Sequence, residues 1–398
     1  MTADILHGPH ASGTVLFGLV VLWLAGADLR LTVLAVPPVL PLIHRDLALS
    51  ERAVGALSGM PVLLFGLAAI PGSLLIARLG ARRAAIAGLL LVAAASAARG
   101  IGPSAPMLFG MTFVMAAGVA IMQPALPALV GEWFATRPRF ATAVYANGLL
   151  IGEAVPAALM LPLVLPLVGG SWPKSFVVWA APVAATAVLM AFCRDPAKSG
   201  GSGSVAAIAT ARWWPDWRRH QTWQLGLMQG GTGGLYFASN ALIPDYLHAV
   251  GRPELVTAGL GALNLGQLPA SLLLLLAARR LGGSKTEILA MQLLAVAGIA
   301  VLLTAKSWSI VVGAGVIGFC CAFTLIVTLA LPPQLAAPTD VARLSAGMFA
   351  VGYALSSVVP LAGGAVWDAT GVPAAGFAAP AIAAAAVFAA AFTFRFPD

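Results

Sequence analysis

Val15-Leu16-Phe17-Gly18-Leu19-Val20-Val21-Leu22-Trp23-Leu24-Ala25-Gly26-Ala27-Asp28-Leu29-Arg30-Leu31-Thr32-Val33-Leu34-Ala35-Val36 is long and apolar enough to cross a bilayer, and only Asp28 and Arg30 interrupt it with charge. A charge at the centre of a membrane helix costs on the order of 2.5–3.5 kcal/mol on insertion scales, so such residues face a bundle interior or a watery path. The first span is therefore expected to line a solute pathway. Two residues apart on a helix of 3.6 residues per turn, Asp28 and Arg30 point about 200° apart. One is expected to face solute and the other a neighbouring helix.

The rest of the chain repeats the apolar pattern. Hydrophobic residues make up 60% of 398, charged residues 9%, and mean hydropathy is +0.95. Soluble domains carry roughly 25% charged residues, so this composition defines a polytopic membrane protein. The spacing predicts spans near residues 14–42, 52–77, 82–100, 105–132, 139–167, 173–193, 221–248, 255–278, 286–304, 308–331, 342–367 and 372–394. The expected fold is all-α: twelve transmembrane helices in two pseudo-symmetric six-helix bundles. The corresponding divisions are a cytoplasmic N-terminus at 1–13, a first bundle at 14–193, a linker at 194–220, a second bundle at 221–394 and a tail at 395–398. The Gly/Ser run Ser199-Gly200-Gly201-Ser202-Gly203-Ser204 makes the linker flexible by composition.

Basic residues orient the bundle. Arg78, Arg82, Arg83, Arg137, Arg139, Arg218, Arg219, Arg343 and Arg395 fall on one side, with the linker's own basic residues and Arg279, Arg280 and Lys285. Arg45, Arg52, Arg99, Lys174, Arg252 and Lys306 fall on the other. The positive-inside rule makes the crowded side cytoplasmic, which puts both termini inside a plasma (inner) membrane. The net charge of +8 then reports topology and contact with the lipid bilayer, not nucleic-acid binding. No basic n-region with a short apolar core precedes the first span, so that span is expected to remain in the mature protein. Cys193, Cys320 and Cys321 lie in apolar stretches without disulfide or zinc spacing and are read as packing residues.

The two halves echo each other. Gly152 precedes Trp172-Pro173 at the distance that separates Gly352 from Val372-Pro373. A shift near half the chain length is the mark of a duplicated transporter, whose solute site lies near the midplane of the bilayer.

Ser73-Leu74-Leu75-Ile76-Ala77-Arg78-Leu79-Gly80-Ala81-Arg82-Arg83 resembles the loop after the second helix of the major facilitator superfamily, with Ser73 for that loop's Gly and Ala77 for its Asp. Asp28-Leu29-Arg30, Pro38-Val39-Leu40-Pro41, Leu126-Pro127-Ala128-Leu129-Val130, Leu242-Ile243-Pro244-Asp245-Tyr246-Leu247, and Gly352-Tyr353 through Trp367-Asp368-Ala369-Thr370-Gly371 are similar in order and placement to the cyanate/2-nitroimidazole permease branch of that superfamily. The resemblance implies a secondary transporter, and a latching role on the cytoplasmic side for the loop of Arg78, Gly80, Arg82 and Arg83. The branch usually carries Asn where this chain has Asp28 and a small residue where it has Glu153.

For solute binding the first candidate is Arg30, because a guanidinium stays charged and offers a donor fork that fits carboxylates and small oxyanions. The alternative reading is that Arg30 pairs internally with Asp28 or Glu153. Glu153 lies inside the fifth span, and a carboxylate desolvated there suits proton coupling, with Asp28 its rival. A buried structural partnership for Glu153 stands beside that reading. Gln123, Tyr145, Asn147, Gln229, Tyr236, Asn240, Asn264, Gln267 and Tyr353 can supply neutral hydrogen bonds to solute, or helix-to-helix bonds instead.

No P-loop, metal-ligand spacing or nucleophile constellation is present in the sequence, so neither a cofactor nor an enzyme activity is expected. The expected function is secondary active transport of a small anionic or polar organic solute, coupled to proton uptake, by a monomer. A proton-driven exporter of drugs or metabolites is the alternative within the class, and a non-transporting membrane receptor the alternative outside it.

Overall fold

The computed structural model describes residues 9–102, 104–193, 213–277, 281, 283–304 and 308–397. The linker from 194 to 212, residues 1–8 of the N-terminus, Arg279, Arg280 and Lys306 lie outside the described residues, and so do the expectations that rest on them.

Helix α1 runs Pro9–Leu31, and α2, Leu40–Leu47, follows a short 3-10 turn at Pro37–Val39. The expected continuous first span at 14–42 is corrected here, because regular helix stops one residue past Arg30. Val33 N and Leu34 N both turn back to the Arg30 carbonyl, at 3.1 and 2.9 Å. Downstream, Pro37 and Pro38 lack the N–H groups that would bond back to the Val33 and Leu34 carbonyls, so the α-helical ladder does not continue through them.

The second span is likewise split into α3, Glu51–Leu67, and α4, Ala69–Leu79, bent by 47°. Then come α5, Ala81–Arg99, and α6, Ala105–Trp133, whose start is capped by Ser104 Oγ accepting from Met107 N. Helix α7, Pro138–Leu159, continues through a π-helical stretch at Met160–Val164 and bends by 50°. Helix α8, Trp172–Phe192, closes the first half.

The second half follows the same plan. Helix α9 is His220–Ala249, and α10, Val256–Leu265, and α11, Gln267–Ala277, are separated at Gly266 much as α3 and α4 part at Ala68. Helices α12, Lys285–Leu303, α13, Trp308–Ala330, α14, Val341–Thr370, and α15, Ala378–Thr393, complete it. Glu287 reaches back to Ser284 N at the start of α12, the acidic half of a capping box. No strand occurs among the described residues.

Nine described helices are long and apolar enough to cross a membrane, or eleven if each bent pair counts as one span. The expected count of twelve depends on α9, whose Gln229, glycine-rich run at 230–234 and Asn240 keep its hydropathy low.

The chain divides into two compact units, Met1–Trp214 with Ala337–Arg343, and Pro215–Ala336 with Leu344–Asp398. Assignment of Ala337–Arg343 to the first unit departs from the expected bundle boundaries. In that segment Arg343 Nε donates to the Trp214 carbonyl at 2.6 Å.

Each unit holds its first helix against its fifth. In the first unit α1 and α7 touch backbone to backbone: a Cβ on Gly26 would lie 2.1 Å from Tyr145 O, on Gly148 2.1 Å from Trp23 O, and on Gly152 2.1 Å from Ala27 O. In the second unit Gly226, Gly230 and Gly234 of α9 receive Val351, Leu355 and Val359 of α14. Gly26 and Gly226, like Gly152 and Gly352, are 200 residues apart, so the repeat visible in sequence reappears as equivalent helix crossings. Within the second unit, α9, α10, α12, α13 and the 3-10 turn Pro373–Phe377 that leads into α15 enclose an apolar core that includes Leu235, Ile243, Leu263, Ile299, Ile317 and Phe377.

Candidate functional site

Helices α1, α3 and α7 bring the charged part of the candidate site together within the first unit. Arg30 Nε donates to Glu153 Oε1 at 3.0 Å, and the guanidinium carbon lies 5.2 Å from the centre of the Phe65 ring. The close crossing of α1 and α7 makes this possible, because Gly152, which lies against Ala27, presents the next residue to the turn that carries Arg30. A charge-assisted hydrogen bond and a ring face both stabilise a guanidinium removed from water. Of the two internal partners weighed from the sequence, Glu153 is the one in contact.

Asp28 lies elsewhere. Its carboxylate is 2% exposed and in hydrogen-bonding contact with the Thr186 hydroxyl of α8. The expected divergence of Asp28 and Arg30 around the helix is thus realised, with Asp28 turned to a neighbouring helix.

The neutral candidates fall into separate groups. Asn147 accepts a hydrogen bond from Trp23 Nε1 at 2.9 Å, about two turns before the ion pair on both helices. Gln123 in α6 and Tyr145 in α7 are buried. In the second unit, Tyr236 OH donates to Asn264 Oδ1 at 2.5 Å, and Asn264 Nδ2 donates to Asn240 Oδ1 at 3.1 Å. The network sits where α10 gives way to α11, and Gln267 Nε2 returns to the Asn264 carbonyl at 3.4 Å. Gln229 lies against Gly352, and Tyr353 stacks on Phe349 with ring centres 6.0 Å apart.

The basic loop uses its residues unequally. Gly80 takes φ +84, a left-handed value that favours glycine, and so turns the chain from α4 into α5. Arg82 Nη1 donates to the carbonyls of Ala191 and Cys193 at 3.2 and 2.7 Å, which ties the loop to the end of α8. Arg78 and Arg83 are exposed. At the position where Ser73 replaces the motif's glycine, its hydroxyl donates to the Trp213 carbonyl at 2.6 Å.

Three residues escaped the sequence reading. Phe65 and Trp23 carry no periodic or charge signal that separates them from other apolar positions. Arg99 was expected at the outer surface and is instead fully buried at the end of α5, 0% exposed. Ser96, three residues earlier and on the same helix face, was the available signal.

Paired charges sunk in apolar helices, an amide-bearing break between α10 and α11 and a duplicated plan define a polytopic membrane carrier. The chain belongs to the Major Facilitator Superfamily, whose family profile matches residues 19–282. It is therefore a secondary transporter from a family of transporters and not enzymes. The cyanate transport protein CynX of Escherichia coli (strain K12) is 27% identical over 360 residues, covering 89% of this chain and 90% of that protein. The 2-nitroimidazole transporter of the same strain is 27% identical over 350 residues, 86% of each chain. Among solved structures, the superfamily transporter FucP in its outward conformation has a TM-score of 0.71 at 19% identity, covering 95% of this chain and 99% of that one. The branch implied by the sequence motifs is the branch these relatives represent.

Proposed function

We propose that this protein takes up a small anionic or polar organic solute together with a proton, by alternating access, with Arg30 as the solute-binding cation and Glu153 as the proton acceptor. The observation that carries this reading is the 3.0 Å contact between Arg30 Nε and Glu153 Oε1 inside apolar helices. A guanidinium already engaged by a carboxylate binds an incoming anion poorly. Protonation of Glu153 removes the competing charge, and the anion then takes its place on the donor fork. Loss of that proton on the far side restores the internal pair and expels the anion. Proton and solute thus move together because they alternate as partners of one guanidinium.

Relatives named for cyanate and 2-nitroimidazole transport support a small, polar cargo. Within the second unit, the Tyr236, Asn264 and Asn240 network offers neutral hydrogen bonds of the kind a polar solute accepts or donates. The basic residues support a plasma-membrane orientation with both termini cytoplasmic.

Uptake into proteoliposomes under an imposed pH gradient tests the coupling, with cyanate, formate, acetate and 2-nitroimidazole as the probe panel. For a probe carried by the parent protein, acid outside accelerates uptake. In Glu153→Gln the acceleration disappears while exchange of internal for external probe persists. Accumulation by Glu153→Gln in response to the gradient would exclude Glu153 as the coupling group.

A further inference from the structure

The interruption of α1 places the peptide groups after Arg30 out of the helical ladder, and a second guanidinium holds one of them. Arg99 Nη2 donates to the Thr32 carbonyl at 3.1 Å and to Ser96 Oγ at 3.1 Å. Its guanidinium carbon lies 4.5 Å from the centre of the Phe176 ring in α8. Ser96 Oγ also donates to the Phe176 carbonyl, at 3.2 Å, which fastens α5 to α8 at the same level. Arg99 Nε and Nη1 and Thr32 Oγ1 have no partner among the described residues, although all are buried. A fully buried guanidinium with two idle donors is a poor device for stability alone, since apolar replacements of buried charges are often neutral or stabilising. Outside its own helix, its hydrogen bond goes to the backbone two residues beyond Arg30.

We infer that Arg99 is a positioning residue for transport: by gripping the Thr32 carbonyl it fixes the interrupted turn of α1, and with it the direction in which Arg30 projects toward Glu153 and Phe65. This rests on the reading of Arg30 as the solute-binding cation. The grip acts from behind the site. Asp28 meets Thr186 one turn earlier, and Arg99 secures the end of the helix, so the Arg30 side chain is left to the α3 and α7 side.

Arg99→Met tests the inference in full-length protein reconstituted into nanodiscs and proteoliposomes. The thermal midpoint stays equal or rises, while hydrogen exchange of the amides from Thr32 to Val36 quickens at least tenfold over the parent. With cyanate as probe, the apparent KM rises about tenfold or more and the maximal rate changes less than twofold. Arg99→Lys, which keeps a donor for the Thr32 carbonyl but loses the planar contact with Phe176, recovers part of the KM. If Arg99→Met fails to fold, Arg99→Lys decides alone, with an intermediate KM and intermediate exchange expected.

Unchanged exchange at 32–36 in either variant would overturn the role of Arg99, as would a fall in thermal midpoint with KM unaltered. Arg30→Ala separates the two claims. If Arg30→Ala abolishes saturable uptake and Arg99→Met leaves KM alone, only the positioning role fails. If Arg30→Ala leaves uptake intact, the solute-binding role of Arg30 fails first.

Discussion

Arg30→Ala is expected to reduce saturable uptake of a small anion by at least about a hundredfold. Truncating one member of a buried, hydrogen-bonded charge pair costs roughly 2–5 kcal/mol, and each 1.4 kcal/mol is about a factor of ten. Two losses combine in this variant. The solute loses its only charged donor in the Arg30, Glu153 and Phe65 cluster, and Glu153 is left as a carboxylate without its cation among apolar helices. The second loss also lowers stability, so the informative comparison is Arg30→Ala with Glu153→Gln. The double variant is expected to recover thermal stability without recovering uptake. Arg30→Lys keeps the charge but replaces the planar fork with a point-like ammonium, and is expected to retain weak uptake with a raised KM. Initial rates over a range of probe concentrations, paired with thermal unfolding in the same detergent, separate these outcomes. Uptake at the parental rate by Arg30→Ala would remove this residue from the site.

The fold was legible because lipid imposes a simple rule: apolar runs of about twenty residues must be helices, and charge must be confined to loops or justified inside. Helix α6 illustrates this, with an expectation of 105–132 and an observed Ala105–Trp133. The interruptions were less legible. The break after Arg30 depends on Pro37-Pro38 acting from several residues downstream, and on the Arg99 side chain that receives a freed carbonyl, neither of which alters apolar periodicity. The candidate site was half legible for a related reason. Charge in a membrane helix announces itself, so Arg30, Asp28 and Glu153 stood out, and the angular argument separated Asp28 from Arg30. Which carboxylate meets the guanidinium is decided by the α1 and α7 crossing, a tertiary fact carried by glycines whose neighbours are unknown until the helices are placed. Arg99 was misplaced because its position at the end of an apolar run is the ordinary position of a loop cation. Apart from Ser96 on the same helix face, only its buried surroundings distinguish it.

Those glycines support the second large expectation: Gly152→Ala and Gly148→Ala each disrupt the first unit far more than an added methyl group would elsewhere. A Cβ at Gly152 would sit 2.1 Å from Ala27 O and 2.7 Å from the Ala27 Cα, and one at Gly148 would sit 2.1 Å from Trp23 O. These neighbours are backbone atoms of a helix, so no rotamer change relieves the clash and α1 must move bodily away from α7. Overpacking costs typically about 1–3 kcal/mol, and a rigid neighbour puts the cost at the upper end of that range or beyond. The same displacement stretches the Arg30 to Glu153 contact, because Glu153 follows Gly152 directly, so transport is expected to fail even in protein that still folds. Gly110 is the control. Nothing lies within 4 Å of a Cβ built there, and Gly110→Ala in the helical interior is expected to be neutral or stabilising by about 0.5–1 kcal/mol. Gly352→Ala gives a graded case. Its nearest neighbours are side-chain atoms of Gln229, which can swing aside where a carbonyl of α1 cannot, so its loss of thermal stability should be smaller than that of Gly152→Ala although the two positions correspond in the repeat. Thermal unfolding of the four variants side by side measures the order. Equal stability for Gly152→Ala and Gly110→Ala would mean that α1 and α7 are not in backbone contact, and the geometry that joins Arg30 to Glu153 would fall with it.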